Sequence, residues 1–289
     1  KNRTKKLLKN SGYMLVLQLC NFVFPFLGFK LVALNAGGEV LGSYFYFLSC
    51  AALVVIVSDL GLNISSLKNY KKARFKEHYI VNYYVLKLFA FLITSLLLCL
   101  FLVRLDFSLL DYLLIFCSIA LQSLVPTWFF QYTEKMKFTA IAGIVSRLTI
   151  IILLFIGDEL VNSITYILLC HCIGMLMMFI LNMVYIYINL SLSEPIRKLL
   201  KFRYMIGLLK VTMQTSLSRI YVSIYTSLNL ILIGFFGGPL AVVTYGVAEK
   251  IYHAGQGVIM PVSQVLFPFM MNKPDYGLFK KIITSFSMI

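Results

Sequence analysis

Charged residues are scarce in this chain. Only 13% of its 289 residues are Asp, Glu, Lys or Arg, whereas 60% are hydrophobic. Soluble globular proteins carry about 25% charged residues, so this sequence cannot cover a water-facing surface, which excludes an ordinary soluble enzyme. The few charges are mostly basic, with 26 Lys and Arg against 11 Asp and Glu. They stand in short clusters between apolar runs, which is typical of a polytopic membrane protein and argues against a nucleic-acid partner.

Motifs for metal binding and catalysis are also few. The six cysteines all lie in apolar stretches, where thiols pack as small hydrophobic groups. Cys170-His171-Cys172 has no second pair of ligands beside it, so packing within a helix is favoured over a metal site. There is no glycine-rich phosphate loop and no nucleophile–His–acid set. We therefore expect no catalytic residue, no cofactor and no metal, and a protein that is not an enzyme.

The apolar runs predict an all-α fold. A hydrocarbon core of roughly 30 Å needs about 20 helical residues. The basic clusters fall in alternate loops and at the amino terminus, so the positive-inside rule places the amino terminus in the cytoplasm. A ninth run begins at Lys280. The eight complete predicted spans cover residues 11–34, 42–67, 79–103, 109–132, 138–156, 160–189, 208–233 and 241–270.

An internal repeat divides the chain. Gly37-Gly38-Glu39, followed by Tyr44, precedes the second span, and Gly237-Gly238-Pro239, followed by Tyr245, precedes the eighth. The copies are about 200 residues or six spans apart, so they run the same way through the membrane, as in one common transporter plan. We predict a six-helix bundle over residues 1–206 and the start of a second bundle, with two full spans and part of a third, over 207–289. The chain is expected to be incomplete, because a second copy of six spans would extend further.

Two arginines lie near the middle of predicted spans, Arg147 in the fifth and Arg219 in the seventh. A charge at that depth costs roughly 3 kcal/mol and usually faces a cavity or a partner, although structural ion pairing is an alternative. The seventh span also carries a polar stripe at helical spacing, and Gln18 and Asn21 form a weaker one in the first span. The stripe consists of Thr212, Ser216, Arg219, Ser223, Thr226 and Asn229.

Asp59 and Lys87 lie at equal depths from the cytoplasmic ends of the second and third spans. We predict a salt bridge between them, which could act as a proton-coupled switch or simply hold the helices together. The sequence leaves both readings open.

Four stretches resemble the polysaccharide flippases typified by the Wzx-type O-antigen flippase, a family grouped with multidrug exporters. They are residues 10–42 with Gln18, Asn21 and Pro25; Asp59-Leu60-Gly61; Pro126 to Met136; and Ser218-Arg219 through Glu249-Lys250 to Phe267-Pro268. They follow the order of the family over nearly the whole chain.

The resemblance implies two six-helix bundles around a central cavity, rocking between inward-open and outward-open states. It also implies transport of undecaprenyl-pyrophosphate-linked oligosaccharide repeat units across the bacterial inner membrane, coupled to a cation gradient, for O-antigen or capsular or exopolysaccharide synthesis. Implied partners are the lipid-linked oligosaccharide, membrane lipids, the polysaccharide polymerase and the chain-length regulator. The predicted substrate-binding residues are Arg219, Arg147, Ser216, Ser223, Lys250, Gln18 and Asn21, and the predicted coupling or gating residues are Asp59, Lys87 and Glu249.

Two other functions remain as alternatives. A multidrug exporter of the same superfamily would need an acidic cavity for its cationic substrates, whereas the buried excess here is basic. A membrane glycosyltransferase or polysaccharide polymerase would need acidic residues in a large outer loop, and the outer loops here are short.

Overall fold

The computed structural model of the chain describes residues 2–73, 75–102, 107–189 and 199–256. All the secondary-structure elements among these residues are helical, and no strand occurs among them. The predicted all-α membrane fold is therefore confirmed. The helices are α1 (Asn2–Asp59), α2 (Leu62–Lys72), α3 (Lys76–Leu102), α4 (Leu109–Ser123), α5 (Thr127–Tyr132), α6 (Met136–Ile156), α7 (Ile164–Asn189) and α8 (Phe202–Gln256), with a 3-10 turn at Asp158–Leu160.

The two longest helices, α1 and α8, each contain one break at the same point of the repeat. Gly37 has φ 78° and ψ −177°, and Gly238 has φ 74° and ψ −179°. A positive φ of this kind is accessible to glycine because it has no Cβ. Tyr44 and Tyr245 each follow their own break at the same distance. The repeat visible in the sequence therefore has a matching backbone.

Six helices of the described part are long and apolar enough to cross a membrane. The longest of these candidate spans, Gly12–Lys72, has 61 residues and includes most of α1 together with α2. At 1.5 Å per residue it would extend about 90 Å, roughly three times the hydrocarbon core, so it must contain more than one crossing. The break at Gly37 divides it, and the break at Gly238 divides α8 in the same way. The eight predicted spans fall on these helices, the eighth only as far as Gln256.

Several predicted boundaries were wrong. The loops expected before residues 42 and 241 are each reduced to a glycine break within a continuous helical run. The predicted second span is interrupted after Asp59, where Leu60 and Gly61 both have positive φ. The predicted fourth span is interrupted between α4 and α5, where Pro126 precedes α5 and cannot donate a helical N–H. Hydropathy identified the apolar runs but could not show where the backbone turns within them.

Close packing joins α1 to α8. The part of α1 after Gly37 lies against α8 so closely that a Cβ on Gly42 would overlap the carbonyl group of Pro239. Around this crossing, buried side chains of both helices form one apolar core, which includes Phe45, Leu230 and Val242. A second core of aromatic rings, centred on Trp128, lies beside α2, α3 and α5. Together these contacts leave a cavity between α1, α6, α7 and α8.

Candidate functional site

A cavity of about 290 Å³ lies between both parts of α1, α6, α7 and the second part of α8. Most of its wall is aromatic or aliphatic, and a few polar side chains reach it. Pockets for small molecules commonly have this composition, in which the polar groups fix the orientation of the ligand. The polar residues that line it are Asn21, Tyr44, Arg147, His171, Lys250 and His253.

Arg147 stands midway along α6 and faces the cavity. Its Nε donates a hydrogen bond to Oδ1 of Asn21 on α1, at 3.3 Å. This bond holds the guanidinium in place and leaves its terminal nitrogens for a ligand. A guanidinium presents a planar set of donors that matches carboxylate and phosphate oxygens. The structure thus brings together two residues that the sequence analysis had placed in the substrate site.

Lys250 adds a second cation, from α8. Within the described part of the chain its ammonium group forms no hydrogen bond or ion pair. One turn further along, His253 also lines the cavity, and its Nε2 lies 3.9 Å from Oε1 of Glu249. Glu249 is therefore beside the cavity cations. The two fixed cations, Arg147 and Lys250, come from different helices, α6 and α8.

Tyr44 and His171 form a polar pair that the sequence analysis did not assign to the site. The phenolic oxygen of Tyr44 lies 3.0 Å from Nδ1 of His171 in a buried hydrogen bond. Both residues line the cavity. In the sequence, Tyr44 served only to mark the glycine repeat, and His171 was interpreted as a packed residue within a helix. Nothing in the spacing along one helix could indicate that two separate helices bring these groups together.

The other predicted substrate-binding residues are not brought to the cavity wall by the described structure. The Ser216 hydroxyl is buried, and it is within hydrogen-bonding distance of two backbone oxygens, those of Leu60 and, at 2.8 Å, Thr212. The Ser216 hydroxyl therefore links α8 to the Leu60–Gly61 turn. Gln18 is half-buried on α1 and does not line the cavity. Arg219 and Ser223 lie on α8, and their side chains are outside the described residues.

The predicted ion pair between Asp59 and Lys87 is present, at 3.3 Å between Oδ1 and Nζ. Lys87 also donates to the Tyr83 hydroxyl at 3.1 Å, and the Asn63 amide donates to Oδ1 of Asp59. Neither charged residue lines the cavity. The pair belongs to a buried polar network that joins α1, α2 and α3 at the Leu60–Gly61 turn.

Chemically, the cavity suits an anion attached to an uncharged group. Its two cations can share a ligand with more than one anionic oxygen, because Arg147 and Lys250 line the same cavity. The aromatic wall and the Tyr44–His171 pair offer apolar contact and uncharged hydrogen bonding beside those cations.

Comparison with known proteins identifies relatives over nearly the whole chain. The model of the family described as "Polysaccharide biosynthesis protein" matches residues 7–272. A curated protein of Shigella dysenteriae is 28% identical over 280 residues, which cover 95% of this chain and 70% of that protein. One of Escherichia coli (strain K12) is 24% identical over 296 residues, covering 98% of this chain and 71% of that protein. Both are described as "Putative O-antigen transporter". No solved structure matches the chain.

The matched range includes every residue that lines the cavity. The protein has several helices able to cross a membrane and matches the family over that range. Its fold and its family are therefore those expected from its motifs. This multi-pass membrane protein belongs to the polysaccharide biosynthesis protein family.

Proposed function

We propose that this protein is a flippase for lipid-linked oligosaccharides in the bacterial inner membrane. Its substrate is an oligosaccharide repeat unit attached through pyrophosphate to undecaprenol, destined for O-antigen or another surface polysaccharide. The protein moves this substrate across the bilayer by alternating access and is not an enzyme. The family and the description of the two relatives support this class of function.

The observation that carries the proposal is the placement of Arg147 and Lys250 on one cavity. A pyrophosphate carries several negative charges and cannot enter hydrocarbon without partners, because transfer of an unpaired ion into a low-dielectric medium is very costly. Arg147 offers a guanidinium already oriented by Asn21, and Lys250 offers an ammonium that forms no hydrogen bond or ion pair among the described residues. A cationic drug would be repelled by both groups.

The origin of the two cations suggests how binding drives movement. In the two-bundle arrangement that the sequence predicts, Arg147 belongs to the first bundle and Lys250 to the second. A diphosphate bound to both cations would draw the two bundles together. In the empty cavity the two cations repel each other instead. Binding energy would thereby favour an occluded state, as alternating access requires, since a ligand shifts a conformational equilibrium only through its differential affinity.

The remaining parts of the substrate need less from the protein. The sugar hydroxyls can bond to the uncharged polar groups of the wall, and the prenyl chain can remain among lipid tails. Coupling to a cation gradient is part of the proposal, and Glu249 is the carboxylate best placed for it, because it adjoins Lys250 and His253. On the outer side the flipped unit would pass to the polymerase and its chain-length regulator.

Deletion of the gene tests the proposal. A flippase deficiency should stall complete, single lipid-linked repeat units in the inner membrane, inaccessible to a sugar-modifying reagent added to spheroplasts. Wild-type protein should restore their accessibility, and an Arg147→Ala variant present at the same level should not. Truncated lipid-linked units in the deletion strain would instead indicate a glycosyltransferase. Drug sensitivity with normal polysaccharide export would indicate a multidrug exporter.

A further inference from the structure

We propose that the Tyr44–His171 pair binds the sugar next to the diphosphate and so determines which lipid-linked saccharides the protein accepts. This inference rests on the proposed function and assigns a sugar subsite within the same cavity. The pair lies in the same cavity wall as Arg147: Tyr44 is seven residues after Gly37 and His171 seven residues after the start of α7, and Arg147 is nine residues before the end of α6. A head group bound by Arg147 would therefore have its next unit near the pair.

The pair is held in one geometry. Tyr44 and His171 are 5% and 3% exposed, so their rings have little freedom. The His171 ring meets the Phe47 ring edge to face, with centroids 5.2 Å apart, and the Tyr44 ring meets that of Phe29 at 6.1 Å. Groups fixed in this way bind without the entropic cost of ordering flexible side chains. A structural hydrogen bond between two helices would need no access to a cavity, yet both of these residues line one.

The chemistry of the pair matches a sugar and not a phosphate. Its hydrogen bond uses Nδ1 of His171 and the phenolic oxygen of Tyr44, which leaves Nε2 and the second lone pair of the phenol for a ligand. A neutral imidazole and a phenol together offer donors and acceptors, as sugar hydroxyl and amide groups do. A polar site of this kind discriminates strongly, because a ligand without the matching groups leaves buried polar atoms unpaired.

A binding measurement on the purified full-length protein in lipid nanodiscs tests the subsite. The two probes are undecaprenyl diphosphate and the same lipid bearing one N-acetylhexosamine. The wild-type protein should bind the sugar-bearing lipid more tightly. Tyr44→Phe, which keeps the ring and removes the hydroxyl, should reduce that preference by about 3- to 10-fold, the usual effect of one hydrogen bond. Affinity for the sugar-free lipid should be unchanged.

Two further variants separate the subsite from the rest of the protein. His171→Asn retains a polar group for Tyr44 near the position of Nδ1 and removes Nε2, so it should also reduce the preference while remaining as thermally stable as Tyr44→Phe. Tyr84→Phe is the matched control, because this half-buried tyrosine bonds to the Met183 sulfur and does not line the cavity. It should leave the preference intact.

The outcomes distinguish this inference from the proposed function. Equal affinity of the wild-type protein for both lipids, or an unchanged preference in Tyr44→Phe and His171→Asn, overturns the sugar subsite alone. Loss of affinity for both lipids in Tyr44→Phe also overturns it, because the pair would then serve the diphosphate or the fold. If Arg147→Ala binds both lipids as tightly as the wild type, the diphosphate site itself is wrong and the proposed function fails.

Discussion

Lys87 Nζ lies 3.3 Å from Asp59 Oδ1, and the two side chains are 2% and 4% exposed. Asp59 directly precedes the Leu60–Gly61 turn, and neither residue of the pair lines the cavity. Of the two roles that the sequence left open, this placement favours a lock that fixes the turn. A proton-coupled switch would be expected to contact the substrate cavity or a water-filled path.

The lock can be tested with a three-variant cycle. Asp59→Asn and Lys87→Met should each destabilise the purified protein by about 3–5 kcal/mol, because each leaves one buried charge without its partner. The double variant should recover much of the melting temperature and of the export activity. A double variant that is stable yet inactive would contradict the lock and indicate that Asp59 carries a coupled proton.

Arg147 should be required for export and not for insertion. Arg147→Ala should abolish export, and Arg147→Lys should restore it only partly, since a lysine keeps the charge but loses the planar fork. Export is measured as surface polysaccharide, and protein level by immunoblot of the membrane fraction. Arg203, which lies at the start of α8 and does not line the cavity, supplies the control Arg203→Ala. Export by Arg147→Ala at the level of Arg203→Ala would contradict the assignment.

The crossing of α1 and α8 should tolerate no side chain at position 42. Gly42→Ala should lower the melting temperature and impair export, because its Cβ would overlap the Pro239 carbonyl and separate the helices. Gly207→Ala is the control: a Cβ there meets nothing within 4 Å, and alanine is favoured over glycine in a helix by roughly 0.5–1 kcal/mol. Equal stability of the two variants would show that the helices do not need this close approach.

Asn82 should anchor the segment that enters α8. Its side-chain amide donates to the Leu199 carbonyl at 2.9 Å, and its Oδ1 accepts from the Lys201 N–H at 3.0 Å. Asn82→Ala should lower the free energy of unfolding by about 1–3 kcal/mol, because it leaves these backbone groups unpaired. It should also speed proteolysis near residue 200. Asn182→Ala is the matched control, because among the described residues that buried amide donates to Met178 of its own helix and to no other helix. Identical digestion rates would argue against the anchor.

Reporter fusions should establish the orientation. Fusions at Lys72, Lys135 and Lys201 should report the cytoplasm, as the positive-inside rule predicts. Those after Asp111, Asp158 and Gly238 should report the periplasm. One inverted site among the six would show that the number of crossings is wrong.

The class of protein follows from the amino-acid sequence alone. Scarce charge and long apolar runs were sufficient to predict membrane helices, because a bilayer imposes a length and a polarity that can be counted along the chain. The glycine repeat also marked two distant segments as copies of each other, and Gly37 and Gly238 have the same φ and ψ within a few degrees. Equal depth in the membrane was enough to pair Asp59 with Lys87.

The polar groups that face one another could be identified only from the way the helices pack. Ser216 shares a helical stripe with Arg219, yet its hydroxyl bonds to backbone oxygens and not to a ligand. Tyr44 and His171 meet across two helices, 127 residues apart in sequence. Periodicity reports the face of a single helix, whereas a site depends on how several helices are rotated against each other. That rotation is set by close packing, such as the approach of Gly42 to Pro239, which no pattern along one helix reveals.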